Sequence, residues 1–147
     1  MDRSELIAFI RADGDAVVST IGPDGAPQAA YLSITATDRG ELVFNARGGS
    51  RKIANLRRDP RIAVVVGGAE KTTLQLQGTA EVLDPGSDEA ARAAAAYGEA
   101  FPWFRESLTR SEFELVLVRP EWARFGDYRE GPPVVVEVDV AGSGSPE

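Results

Sequence analysis

Apolar positions recur with two different periods along this chain, and the changes of period mark its elements. From Asp2 to Asp13, Leu6, Ile7, Phe9 and Ile10 form one helical stripe, with Asp2 placed to cap it, Glu5 three residues on and Gly14 as a stop. Such a helix is expected to cover a barrel end. Asp15 to Ile21 is rich in β-branched residues and leads into Gly22-Pro23-Asp24-Gly25, whose every position favours a turn, so the first hairpin is expected there. From Gln28 to Thr37 the period is two. Ala30, Leu32, Ile34 and Ala36 fall on a core face, and Ala29, Tyr31, Ser33, Thr35 and Thr37 on a semi-polar one.

After the Asp38-Arg39-Gly40 turn, Glu41 to Ala46 reads as a third strand, which Arg47-Gly48-Gly49-Ser50 breaks. A short helix is expected from Arg51 to about Arg58, because Pro60 restricts Asp59 and ends it. Strands follow at Ile62 to Val66 and Thr72 to Leu83, the latter alternating Leu74, Leu76, Ala80 and Val82 against Thr73, Gln75, Thr79 and Glu81. The stretch Asp84 to Arg110 is helical in character: Ser87-Asp88-Glu89 starts an alanine-rich helix to about Tyr97, and a second short helix past Pro102 carries Trp103 and Phe104, expected to cap the barrel, with an aromatic lid over a ligand as the alternative. Phe113 to Arg119, Trp122 to Tyr128 and Val134 to Val140 complete about eight strands. The fold class is therefore mainly β, an antiparallel β-barrel with helical insertions. One domain over residues 1–140 and a disordered polar tail over 141–147 are expected.

Composition narrows the chemistry. At 147 residues a chain can bury roughly 68–70% of its unfolded surface, enough for a core without staples. Cysteine and histidine are both missing, which removes disulfides, thiolate nucleophiles, imidazole bases and the usual zinc and haem ligands, so no metal site is expected. Any difficult chemistry then belongs to a bound cofactor. No apolar run is long enough to span a bilayer and the first residues lack the order of a signal peptide, so a cytoplasmic protein without a membrane partner is expected. The net charge of −7 argues against a nucleic-acid partner. It is unevenly spread: Arg47, Arg51, Lys52, Arg57, Arg58 and Arg61 against Asp59 make residues 47–61 +5, leaving −12 elsewhere.

That basic stretch opens with Phe44-Asn45-Ala46-Arg47-Gly48-Gly49-Ser50-Arg51-Lys52, a strand ending in glycines at a helix start. Gly48 and Gly49 allow close approach to the backbone, Ser50 can cap the helix or donate its hydroxyl, and the free N–H groups of a first turn attract anions. Arg51 and Lys52 add full charges. The glycine and lysine spacing of a P-loop is missing. Local physics leaves two readings open, a phosphate cradle and an ordinary hairpin end with a solvated helix turn. Carboxylate pairs such as Glu112/Glu114 and Asp127/Glu130 read as solvated, and no side chain stands out as a catalytic acid or base.

The order of several segments decides between them. Gly40-Glu41-Leu42-Val43-Phe44, Gly49-Ser50-Arg51-Lys52, Asn55-Leu56-Arg57-Arg58-Asp59-Pro60-Arg61-Ile62-Ala63-Val64 and Leu76-Gln77-Gly78-Thr79-Ala80-Glu81-Val82, with Val18 to Pro27 upstream, resemble the pyridoxamine 5′-phosphate oxidase-like family of FMN-binding split β-barrels. The resemblance covers about Asp15 to Leu83 and implies an antiparallel split β-barrel, a homodimer and an FMN-dependent oxidoreductase acting on a small-molecule substrate. It further implies that Arg51 and Lys52 hold the FMN phosphate, next to the Ser50 hydroxyl that local chemistry already offers. Asn45 and Ala46 would lie beside the ribityl chain and ring, Tyr31, Leu32 and Ser33 on the strand passing the isoalloxazine, and Thr73 would be a polar contact from the long strand.

The vitamin-oxidising members carry basic residues flanking the second-strand motif, where Ala29 and Ile34 stand here, and a closing motif with histidine, so pyridoxamine phosphate itself is not the expected substrate. Arg119 to Tyr128 resembles the closing strand of smaller relatives, in which Trp122 or Arg124 could reach a cofactor from the partner subunit or simply pack. Three alternatives stand beside FMN oxidoreductase. One is a deazaflavin reductase, with Arg57, Arg58 and Arg61 serving the acidic tail of its coenzyme, the second is a non-catalytic flavin or ligand carrier, and the third, opposed by the acidic remainder, is a nucleic-acid binder using the +5 stretch.

Overall fold

The computed structural model describes residues 1–106 and 112–141. Helix α1 (Arg3–Asp13) starts in a reciprocal capping box, in which Asp2 accepts from the Glu5 backbone and Glu5 accepts from the Asp2 backbone, and it stops at Gly14 in the left-handed region (φ 79°). Strands β1 (Asp15–Ile21) and β2 (Pro27–Ser33) form the first hairpin, followed by the two-residue β3 (Thr35–Ala36), β4 (Leu42–Arg47), α2 (Arg51–Arg58), β5 (Arg61–Gly67) and β6 (Thr72–Val82). Helix α3 (Asp88–Ala100), capped by Ser87, leads through a single 3₁₀ turn at Pro102–Phe104 toward β7 (Phe113–Asp127) and β8 (Val134–Val138).

All strand pairs are antiparallel and lie in the order β2-β1-β5-β6-β7-β4-β3, with β8 added to β7. Because β2 and β3 are consecutive pieces of one segment, its first half pairs β1 and its second half β4, and the sheet curls back on itself. Leu42, Phe44, Val18, Val64, Val66, Leu74 and Val116 fill the interior; Leu6, Ile7 and Ile10 of α1 and Ile53 and Leu56 of α2 join the same core. Helix α3 lies outside the curl, where Ala93, Tyr97 and Phe101 pack on Val43 and Leu117 as a second core. Among the described residues no helix is long and apolar enough to cross a membrane.

The eight strands match the expected number through two differences that offset each other. The segment expected as one strand from Gln28 to Thr37 divides at Ile34, where it changes partner; Thr35 and Thr37, expected on a semi-polar face, are each only 2% exposed because α1 and α3 pack over β3. Conversely, Phe113 to Arg119 and Trp122 to Tyr128 are one continuous strand. Pro120 does not break it because it sits opposite Gly78 at a register shift, where the missing N–H is no loss. A Cβ on Gly78 would meet the Arg119 carbonyl oxygen at 2.1 Å, so only glycine admits this close approach. Trp103 and Phe104 do not cap the barrel: they cluster with Tyr97 and Phe101 beyond the end of α3, with Trp103 72% exposed. Residues 107–110 of the stretch expected to be helical and most of the expected tail, 142–147, lie outside the described residues.

Candidate functional site

Residues beyond β4 build the site. Its last residue, Arg47, enters a turn in which the Ser50 N–H donates to the Arg47 carbonyl (3.0 Å) and the Gly48 N–H to the Glu112 carbonyl (2.9 Å). Ser50 holds the N-cap position of α2 in extended conformation, yet its side chain makes no capping bond. Its Oγ is buried without a hydrogen-bond partner, and so is Asn45 Nδ2. Buried polar atoms are nearly always paired, so two orphans within six residues single this corner out as a candidate binding site. A Cβ on Gly49 would meet nothing within 4 Å, so the approach to the first turn of α2 is open.

The charges separate into two groups. Arg51 and Lys52 have no ion-pair partner among the described residues, and the turn they occupy holds no acid. Arg57 is paired with Glu114 (2.7 Å), so Glu114 is not the merely solvated carboxylate expected; Arg61 is paired with Asp59 (2.7 Å); Arg58 donates to the Ile21 carbonyl and Asn55 Oδ1. The bonds from Arg61 hold the Asp59 carboxyl down at about 2. Asp127, likewise expected to be solvated, is held at about 2 by Arg129. Within the +5 stretch, Arg51 and Lys52 at the helix start, and Arg47 at the end of β4 beside the Phe113 ring, are thus the cations without a hydrogen-bonded partner among the described residues.

Register explains where Tyr31, Leu32 and Ser33 lie. Thr35 pairs Val43 and Ala36 pairs Leu42, and continuing that ladder would set Ser33 opposite Asn45 and Tyr31 opposite Arg47. The ladder stops instead: β2 turns to β1 and β4 to β7. The strands part at Ile34, so Tyr31, Leu32 and Ser33 follow β1 on one side of this split and Asn45 and Ala46 follow β7 on the other, with the Ser50–Lys52 corner just beyond β4. Ala46 is only 6% exposed with its side chain in the core, so its backbone is what it offers to the split. Thr73 is not brought there within one chain. It lies on β6, three strand spacings or roughly 14 Å around the sheet from β2.

Two contributors escaped the sequence reading. The Tyr97 hydroxyl donates to Asn45 Oδ1 (3.4 Å), and burial pushes its titration up to about 12, so it stays a donor and Asn45 is left with its amide hydrogens free. Asn55, 2% exposed, gives its amide hydrogens to Thr20 Oγ1 and Gln28 Oε1 (both 2.9 Å). Its signal was present in the sequence: a polar residue beside Ile53 and Leu56 in a short helix with one apolar face.

A curled antiparallel sheet whose strand segment changes partner at Ile34, with helices at its end and side, defines a split β-barrel. A sequence profile described as pyridoxamine 5′-phosphate oxidase matches residues 3–126, and the chain belongs to that family. No curated protein sequence matches. Among solved structures the chain is similar to a heme binding protein from Mycobacterium smegmatis (TM-score 0.73, 23% identity, 92% of this chain and 57% of that one). It is also similar to HutZ, the heme storage protein of Vibrio cholerae (0.70, 18%, 90% and 92%). A third is a Clostridium acetobutylicum protein related to general stress protein 26, of the pyridoxinephosphate oxidase family (0.67, 17%, 93% and 96%). At these identities the likeness is one of fold, and this chain spans just over half of the mycobacterial protein.

Proposed function

We propose that the protein is an FMN-binding oxidoreductase acting on a small molecule. The observation that carries this is the first turn of α2, where two cations without a counter-ion among the described residues stand beside a buried hydroxyl without a partner. In this reading Arg51 and Lys52 hold the phosphate dianion, Ser50 Oγ donates to it, and the free N–H groups of the helix start add their partial charge. Asn45, its carbonyl held by Tyr97, turns its N–H₂ toward the ribityl chain and ring; Tyr31, Leu32 and Ser33 line the opposite wall. Bound FMN supplies the hydride or electron-pair transfer, and the protein supplies position and solvent access.

The pairing of Arg57 with Glu114 and of Arg61 with Asp59 favours one phosphate over a deazaflavin coenzyme with an acidic tail. Haem, suggested by two structural neighbours, finds neither histidine nor cysteine in the chain to ligate its iron. A homodimer belongs to the proposal. The outward row Tyr31-Val17-Val65-Gln75-Arg124 is covered by no helix and leaves Tyr31 72%, Val17 41% and Val65 41% exposed, an apolar sheet face suited to a second copy. Thr73 and Trp122 lie on that face. A cytoplasmic location is part of the same reading.

The test is the visible spectrum of purified protein with FMN and then with a deazaflavin added. A perturbed flavin band, lost in Arg51→Ala/Lys52→Ala, supports the proposal; no perturbation by either cofactor overturns it. Reoxidation kinetics with reduced nicotinamide and candidate acceptors then separate an enzyme from a carrier.

A further inference from the structure

The two walls of the split belong to different parts of the chain, and one side chain of α2, the helix that starts at the Ser50–Lys52 corner, hydrogen-bonds to the hairpin that carries the other wall. Asn55 sits on α2, one turn beyond the Ser50–Lys52 corner, and is almost wholly buried between the barrel end and the first hairpin. Its amide donates one hydrogen to Thr20 on β1 and the other to Gln28 on β2. Thr20 and Gln28 are themselves cross-strand partners, so Asn55 straddles the ladder. Its Oδ1 accepts from Arg58 (3.0 Å), whose guanidinium also reaches the Ile21 carbonyl (2.9 Å). Both donors and the acceptor are thereby used, and a polar side chain on an apolar helix face is explained entirely by this link. Gln28 lies three residues before Tyr31 on the same strand, and Arg51 and Lys52 lie four and three residues before Asn55 on the same helix.

We propose that Asn55 is the positioning residue of the site: it fixes the phosphate-holding start of α2 relative to the ring-facing strand β2. The proposal rests on the flavin reading above. Its consequence is a coupling. Riboflavin uses only the ring wall, whereas FMN must satisfy both walls at once, so loosening the link penalises FMN selectively.

The experiment compares FMN and riboflavin affinities, by flavin fluorescence quenching, in the wild type, Asn55→Leu, Gln28→Ala and Asn55→Asp. Asp keeps the acceptor for Arg58, and the Thr20 hydroxyl and Gln28 amide can reverse to donate to it. The expected result is about a tenfold or greater fall in the FMN-to-riboflavin affinity ratio in Asn55→Leu, a smaller fall in Gln28→Ala and recovery in Asn55→Asp, with riboflavin affinity nearly constant. An unchanged ratio, whether both affinities hold or fall together, overturns the proposal.

Hydrogen exchange without any flavin is the companion measurement. Asn55→Leu is expected to raise exchange both in the first turn of α2 and at residues 31–33 of β2. If only α2 responds, the walls are not coupled and the proposal fails. Wild-type protein that binds neither flavin overturns the flavin reading, while the exchange result still judges the link between the walls.

Discussion

The two ends of α2 carry the same kind of residue and are put to opposite uses. At its start, Arg51 and Lys52 have no ion-pair partner among the described residues and adjoin an orphaned hydroxyl; at and just past its end, Arg57, Arg58 and Arg61 are held by Glu114, by the Ile21 carbonyl and Asn55, and by Asp59. A sequence read for charge alone adds all of them into one basic patch. The structure shows that half of the cations in that stretch, Arg57, Arg58 and Arg61, are engaged within the fold, and that Arg51 and Lys52 of the first turn, with Arg47 just before it, have no carboxylate partner among the described residues. Net charge over a stretch therefore overstates what a ligand can meet.

This contrast can be broken most strongly at the first turn. Arg51→Ala/Lys52→Ala removes two charge-assisted bonds worth about 1.5–3 kcal/mol each, so FMN affinity is expected to fall by roughly two to four orders of magnitude while riboflavin affinity stays level in the same titration. Ser50→Ala tests the orphaned hydroxyl. Since Ser50 makes no capping bond, the usual penalty for losing a cap does not arise; unfolding of the free protein in urea should show stability unchanged or raised by up to about 1 kcal/mol, with FMN bound about tenfold more weakly.

At the other end the signs reverse. Arg57→Ala breaks a partly exposed ion pair and is expected to destabilise the fold by about 0.2–1 kcal/mol, seen in thermal unfolding, without moving FMN affinity. The smallest effect is that of pH on Asp59. Its folded carboxyl titrates at about 2 against an ordinary 3.8, because Arg61 bonds to it. The native state thus binds fewer protons than the unfolded chain, so the stabilisation is complete above about pH 3.8 and is lost as pH falls toward 2. A carboxyl NMR titration of Asp59 that gave an ordinary value would show that Arg61 is free to serve a ligand after all.

Much of the fold was legible because its signals are local. The Asp2–Glu5 capping box, the Ser87 cap, the turn at Gly22 to Gly25 and the period-two runs each place an element by chemistry within a few residues. What was not legible is partnership. Alternation through Ile34 is continuous, and nothing in it tells that the strand leaves β1 for β4 there. Pro120 obeys the rule for a strand breaker until Gly78, 42 positions earlier, supplies the shift that accommodates it. At the site, Arg51 and Lys52 could be picked out by motif, but Arg57 could not be discounted, because its partner Glu114 is 57 residues away.

The change of partner at Ile34 also bears on how the chain finds its fold. Residues 27–36 pair with β1 and β4 through two short hairpins, so that segment is assembled from neighbours in sequence. The pairing of β4 with β7 joins residues 66 to 76 positions apart, from Arg47 with Phe113 to Leu42 with Val118. Closing so long a loop must precede any gain from it, so the predicted kinetic barrier lies at that seam, with refolding expected in the millisecond-to-second range. Stopped-flow refolding of Val116→Ala should then be slowed nearly in proportion to its loss of stability, whereas Val17→Ala, in the local hairpin, should mainly hasten unfolding.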